Sequence, residues 1–125
     1  MDAYEVYYTP LLLVEAKWII LRLARRSPDL RERLLAEYRA GLETLEAEDR
    51  LHETITTNSA VDEVADKLLA MGVRDYFDRM IYATACYYNA VLLTEDRELH
   101  SLQNTRGAPK PPAVPSWEEI LPRLR

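Results

Sequence analysis

Residues 75–99 read DYFDRMIYATACYYNAVLLTEDREL. Asp75 is of a type that caps helices, and Tyr76–Tyr88 after it repeats apolar side chains at helical spacing. Asn89-Ala90 interrupts that period. Val91-Leu92-Leu93-Thr94 is then a short apolar run of the kind that forms buried strands, and Asp96, just past its end, opens a short helix over Asp96–Leu102. A helix, a buried strand and a carboxylate at the strand's carboxyl end describe part of an open parallel sheet, whose ligand sites gather at that edge.

The rest of the chain extends the same alternation. Upstream, Tyr4–Tyr8 is aromatic and β-branched and reads as a strand; Thr9-Pro10 ends it, and Pro10 suits the first turn of a helix over Leu11–Arg26. Ser27-Pro28 breaks that helix, Asp29–Ala47 forms another, and His52–Thr57 reads as a second strand. Ser59 is read as the cap of a helix that runs through Ala70 and stops at Gly72. Downstream, Gly107–Pro115 holds four of the seven prolines and is expected to be extended, with Ala113–Val114 as a candidate fourth strand. Ser116-Trp117-Glu118-Glu119 is a capping box that opens a terminal helix. Strands alternating with helices predict a single α/β domain in three layers, a parallel sheet covered by helices on both faces.

Composition narrows the function. The 125 residues are nearly half apolar, enough for a core, and the net charge of −5 argues against a purely electrostatic grip on nucleic acid. The lone cysteine, Cys86, permits no internal disulfide and fits a reducing, cytoplasmic setting. The first ten residues show no secretory signal, and Leu11–Leu23, the longest apolar stretch, is too short and too charged to span a bilayer. His52 and His100 stand far apart and near no cysteine pair, which argues against zinc.

Three carboxylates occupy positions where the pattern calls for apolar residues or where a sheet places its ligands. Glu15 shares a helix face with Leu12, Ile19 and Leu23; Asp78 shares one with Ile81, Ala85 and Tyr88; Asp96 follows the strand at Val91–Thr94. Each has an ordinary explanation: Glu15 and Asp78 lie near helix starts, where the macrodipole favours a negative charge, and Asp96 suits a helix cap. Taken together they are expected at one edge of a parallel sheet, where strands end and helices begin. Converging carboxylates attract hard divalent cations such as Mg²⁺ or Mn²⁺. Such ions activate water for phosphodiester hydrolysis. Arg79 and Arg97, next to two of these carboxylates, are read as pairing with them or meeting substrate. Arg22, Arg25 and Arg26, with Arg31 and Arg33 beyond, suit either a solvated face or RNA phosphates.

The segment Asp75–Leu99 resembles the second half of PIN domains, in which an Asp shortly before an I-x-A-x-A helix is followed by a strand ending in T-x-D. The matching residues are Asp78, Ile81-Tyr82-Ala83-Thr84-Ala85 and Thr94-Glu95-Asp96. The earlier YYTPLLLVEAKWII resembles that family's second strand and the helix carrying its Glu, here Glu15, so the resemblance covers residues 4–102. It implies a three-layer α/β/α fold, an acidic pocket for Mg²⁺ or Mn²⁺ built by Glu15, Asp78 and Asp96, and cleavage of single-stranded RNA, with Thr94 beside the metal. It also implies, through the VapC-type toxins of the family, a homodimer or higher oligomer held inactive by an antitoxin protein.

One departure accompanies it. The family's domains begin with a central strand ending in Asp followed by Thr or Ser, whereas this chain opens on what resembles their second strand, and Asp2 precedes a strand instead of ending one. The sheet is therefore expected to be incomplete at its N-terminus. A rival reading is a catalytically inactive or truncated PIN-like module that acts through protein contacts. A phospho-acceptor signalling domain ranks lower, because its acidic pair after the first strand and its later Lys are not visible.

Overall fold

Thr9 decides where the first strand stops. In the computed structural model, which describes residues 4–124 (the side chain of Leu124 excepted), its hydroxyl accepts from the Leu11 N–H at 3.2 Å and Pro10 takes the first helical position. The strand β1 is Val6–Tyr8 and the helix α1 is Pro10–Arg26. Asp2 lies outside the described residues. The chain divides into two compact units, Met1–Thr56 and Thr57–Arg125.

In the first unit, a 3₁₀ turn over Pro28–Leu30 leads into α2, Arg31–Ala47, and then into β2, Leu51–Glu53. β1 and β2 run parallel, with Val6 opposite Leu51, Tyr7 opposite His52 and Tyr8 opposite Glu53. The Thr54 N–H adds one more bond, to the Tyr8 carbonyl at 2.8 Å. The strand expected over His52–Thr57 therefore starts one residue earlier and stops sooner. Its partner has turned into α1 by Pro10, and beyond Thr54 there is no edge left to pair with. α1 and α2 pack as a pair: the Tyr38 hydroxyl donates to the Leu13 carbonyl, and the Lys17 ammonium lies 4.9 Å from the centre of the Tyr38 ring.

The second unit carries the larger share of the buried side chains. Its helices are α3, Ser59–Ala70; α4, Tyr76–Tyr88; α5, Arg97–Ser101, continued by a 3₁₀ turn over Leu102–Asn104; and α6, Trp117–Leu124. The cap of α3 is Asn58, not Ser59. Asn58 is extended and its side-chain oxygen accepts from the Val61 N–H at 2.9 Å, whereas Ser59 is already helical. α3 ends where Gly72 takes φ +100°, a conformation that side chains disfavour. α3 and α4 form a packed hairpin. Leu68, Val73, Tyr82, Leu99, Leu102 and Val114 make one core, so α5 is anchored directly to that hairpin.

Val91–Thr94, expected as a strand, is extended but forms no regular ladder. Two of its N–H groups pair: Leu92 donates to the Ala113 carbonyl at 3.0 Å and Thr94 to the Pro115 carbonyl at 3.1 Å. A parallel ladder would return a bond from residue 115 to Leu92, and Pro115 has no N–H to give. On its other side Val114 is bracketed by the Gln103 amide, which accepts from the Val114 N–H and donates to its carbonyl, both at 3.1 Å. The candidate strand at Ala113–Val114 is thus extended chain held by one partial ladder and one side chain. The described residues contain an α/β fold whose regular sheet is the parallel pair β1–β2.

Candidate active site

Two capping aspartates, Asp75 and Asp96, set the starts of α4 and α5. Asp75 caps α4 by accepting from the Asp78 N–H at 2.9 Å, which puts Asp78 in the first turn with its carboxylate half-buried. Arg79 secures this start. Its guanidinium donates to the carbonyls of Val73, at 3.0 Å, and Arg74, at 2.6 Å, and lies over the Tyr76 ring. Arg79 is therefore engaged with the turn between α3 and α4.

A second turn sets Asp96. The Thr94 hydroxyl accepts from the Asp96 N–H at 3.1 Å, and Asp96 Oδ1 accepts from the Leu99 N–H at 2.9 Å, capping α5. The Thr94 carbonyl is 2.6 Å from His100 Nε2, so the imidazole ties the loop to the end of the same helix. Glu95, between them, points elsewhere and accepts from the Trp117 N–H at 2.9 Å at the start of α6. Arg97, the first residue of α5, is exposed.

The result is a cluster. Asp78, Asp96 and Glu98 each offer a carboxylate oxygen, and these three oxygens lie within 4.8 Å of one another. Asp78 and Asp96 are half-buried and Glu98 is exposed. The donor set is oxygen only, without imidazole or thiolate, which suits a hard divalent cation such as Mg²⁺ or Mn²⁺. Of the residues expected from sequence, Asp78 and Asp96 are brought together, with Thr94 fixing the second of them. Glu15 belongs to the first unit, half-buried in the second turn of α1. Sequence reasoning missed Glu98. It lies two residues after the capping Asp96, in the first turn of α5, where an acid is ordinary on any helix.

Cys86 lies in α4, half-buried, and burial pushes its thiol up to about 11. It is a packing residue and not a nucleophile at neutral pH.

A family model described as PIN domain matches residues 1–104. The chain belongs to the PIN family. Glu15, Asp78, Thr94, Asp96 and Glu98 all fall inside the matched span, while Val114 and α6 lie beyond it. No curated protein and no solved structure matches the chain. PIN domains are generally nucleases and typically depend on divalent metals. Among the described residues no helix is long and apolar enough to cross a membrane.

Proposed function

We propose that this PIN domain is a Mg²⁺- or Mn²⁺-dependent endoribonuclease that hydrolyses phosphodiester bonds of single-stranded RNA. The observation that carries the reading is the convergence of oxygens from Asp78, Asp96 and Glu98 at the starts of two helices. We add Glu15 as a further acidic ligand on the strength of its place in the family-like segment YYTPLLLVEAKWII. A cation held there supplies an activated water and offsets charge that builds on the phosphoryl oxygens.

The chain's own residues have separable tasks in this reading. Asp78 and Asp96 hold the ion from two helix starts, and Glu98 closes the set from the solvent side. The Thr94 hydroxyl fixes the backbone of Asp96 and so the direction of its carboxylate. Arg97 meets a substrate phosphate as an exposed cation. Arg79 acts at one remove, by keeping the first turn of α4 in place.

The test uses the isosteric amides. Asn caps a helix as well as Asp does, so Asp96→Asn is expected to keep the fold while removing the ligand charge. With a fluorescently labelled single-stranded RNA and Mn²⁺, wild type is expected to cleave and chelator to stop it. Asp78→Asn and Asp96→Asn are expected to lose activity about 10²-fold or more, the scale on which lost electrostatic stabilisation shows in rate. Cleavage unchanged in both variants would sink the reading. A wild-type chain that binds Mn²⁺ and cleaves no RNA would favour the protein-contact module instead.

A further inference from the structure

Glu15, Trp18, Arg22 and Arg25 are spaced three, four and three apart on α1, so they follow one face of that helix, with Arg26 one turn beyond Arg22. Leu13 and Lys17, which meet Tyr38 of α2, lie on another side. At 1.5 Å per residue the face runs about 10 Å from Glu15 to Arg22 and about 15 Å to Arg25.

Two features of this face ask for a ligand. Trp18 is 61% exposed, more than any other large apolar side chain among the described residues. Arg22, Arg25 and Arg26 are all exposed, and none has an ion-pair partner among the described residues, whereas Arg33 on α2 pairs with Glu37 at 3.0 Å. Arg25 and Arg26 lie in the last turn, where the helix dipole favours a cation, but Arg22 lies a turn earlier and gains little from it. A shallow depression of about 130 Å³ lies between Ile19, Arg22, Leu23 and Arg26. Three guanidiniums within five residues, without an ion-pair partner among the described residues, on a chain of net charge −5, are a local concentration of positive charge complementary to a polyanion. A bare indole beside them adds a stacking platform, which selects unpaired bases over a duplex.

We infer that the Trp18–Arg22–Arg25–Arg26 face of α1 is a single-stranded RNA track, with Trp18 stacking a base and the arginines neutralising phosphates. That the bound strand is also the strand cut rests on the nuclease reading; the binding itself does not.

Trp18 can report on its own occupancy, because the chain has only one other tryptophan, Trp117. The experiment titrates a short oligouridylate into a Trp117→Phe, Asp96→Asn chain and follows Trp18 emission at several salt concentrations. Quenching is expected, with affinity falling as salt rises. Arg22→Gln, Arg25→Gln and Arg26→Gln together are expected to lower the log–log salt slope by about 2, at roughly 0.7 per phosphate released. The matching lysine set keeps the charge and is expected to keep the slope, which separates lost contacts from a damaged helix. Trp18→Ala, followed by anisotropy of a labelled oligonucleotide, is expected to weaken binding about tenfold. Absence of quenching, or a slope unchanged in the glutamine set, overturns the inference. So does Trp18 emission that shifts with protein concentration but not with RNA, which assigns the face to a second copy. Metal-dependent RNA cleavage without any response of Trp18 would remove the track and leave the nuclease reading; a quenched Trp18 without cleavage would do the reverse.

Discussion

Asp96 combines a capping bond, in which one oxygen accepts from the Leu99 N–H, with a place in the acidic cluster. Asp96→Ala is therefore expected to lose the cap, at about 1 kcal/mol by urea denaturation, together with metal binding. Asp96→Asn should lose metal binding alone, and equal stability losses in the two variants would contradict this. The same logic shows why Asp96 could be found from sequence and Glu98 could not: a cap is announced by the element it starts, whereas an exposed first-turn Glu is ordinary on any helix. Burial gives a second residue-scale prediction. Cys86 is pushed from 9.0 to about 11 and Tyr82 from 10.0 to about 12, in both cases chiefly by desolvation. Their folded forms hold protons that the unfolded chain releases, so this stability is fully present below pH 9 and falls as pH rises. The urea midpoint should hold from neutral pH to about pH 9 and decline above it, with a shallower decline between 9 and 11 in Cys86→Ala.

Elements were legible wherever one residue controls an end. Thr9-Pro10, Gly72, Asp75 and the Ser116–Glu119 box each fix a boundary through a local bond or a local φ, and such signals survive without knowledge of the partner. The strands were less legible because their existence depends on a neighbour. Val91–Thr94 has the apolar run of a strand, yet its ladder fails at Pro115, more than twenty residues away in sequence. Restoring the missing donor by Pro115→Ala is expected to let the Leu92 carbonyl accept from residue 115, and Leu93–Thr94 amide exchange should slow; unchanged exchange would show that something other than proline interrupts the pair. The capping box at α6 makes a pH prediction. The Ser116 backbone and hydroxyl bonds hold the Glu119 carboxyl below its ordinary value. Such a group stabilises above the unfolded carboxylate value, and the contribution disappears as pH falls through the lowered folded value. Amides at the start of α6 should lose protection on acidification toward that value, and Glu119→Gln should make the loss independent of pH.

The acidic balance of the whole chain acquires a purpose if part of it is ligand charge. A cation that binds the folded state alone stabilises it by RT ln(1 + [M]/Kd), about 2.7 kcal/mol at a hundred times Kd. Mn²⁺ should therefore raise the thermal midpoint of wild type, and chelator should reverse the gain. Asp78→Asn and Asp96→Asn should show little of it. Where the gain appears is as informative as its size. Asp78, Asp96 and Glu98 all lie in the second unit, so slowed hydrogen exchange at the starts of α4 and α5 is the minimum expected of an ion held by these three. Glu15 adds a distinct signature, because it belongs to α1 of the first unit. If it ligates the same ion, Mn²⁺ should also slow exchange around Glu15, and Glu15→Gln should abolish that effect while leaving most of the protection in α4 and α5. Protection confined to the second unit in wild type would remove Glu15 from the ligand set and leave a centre of three carboxylates.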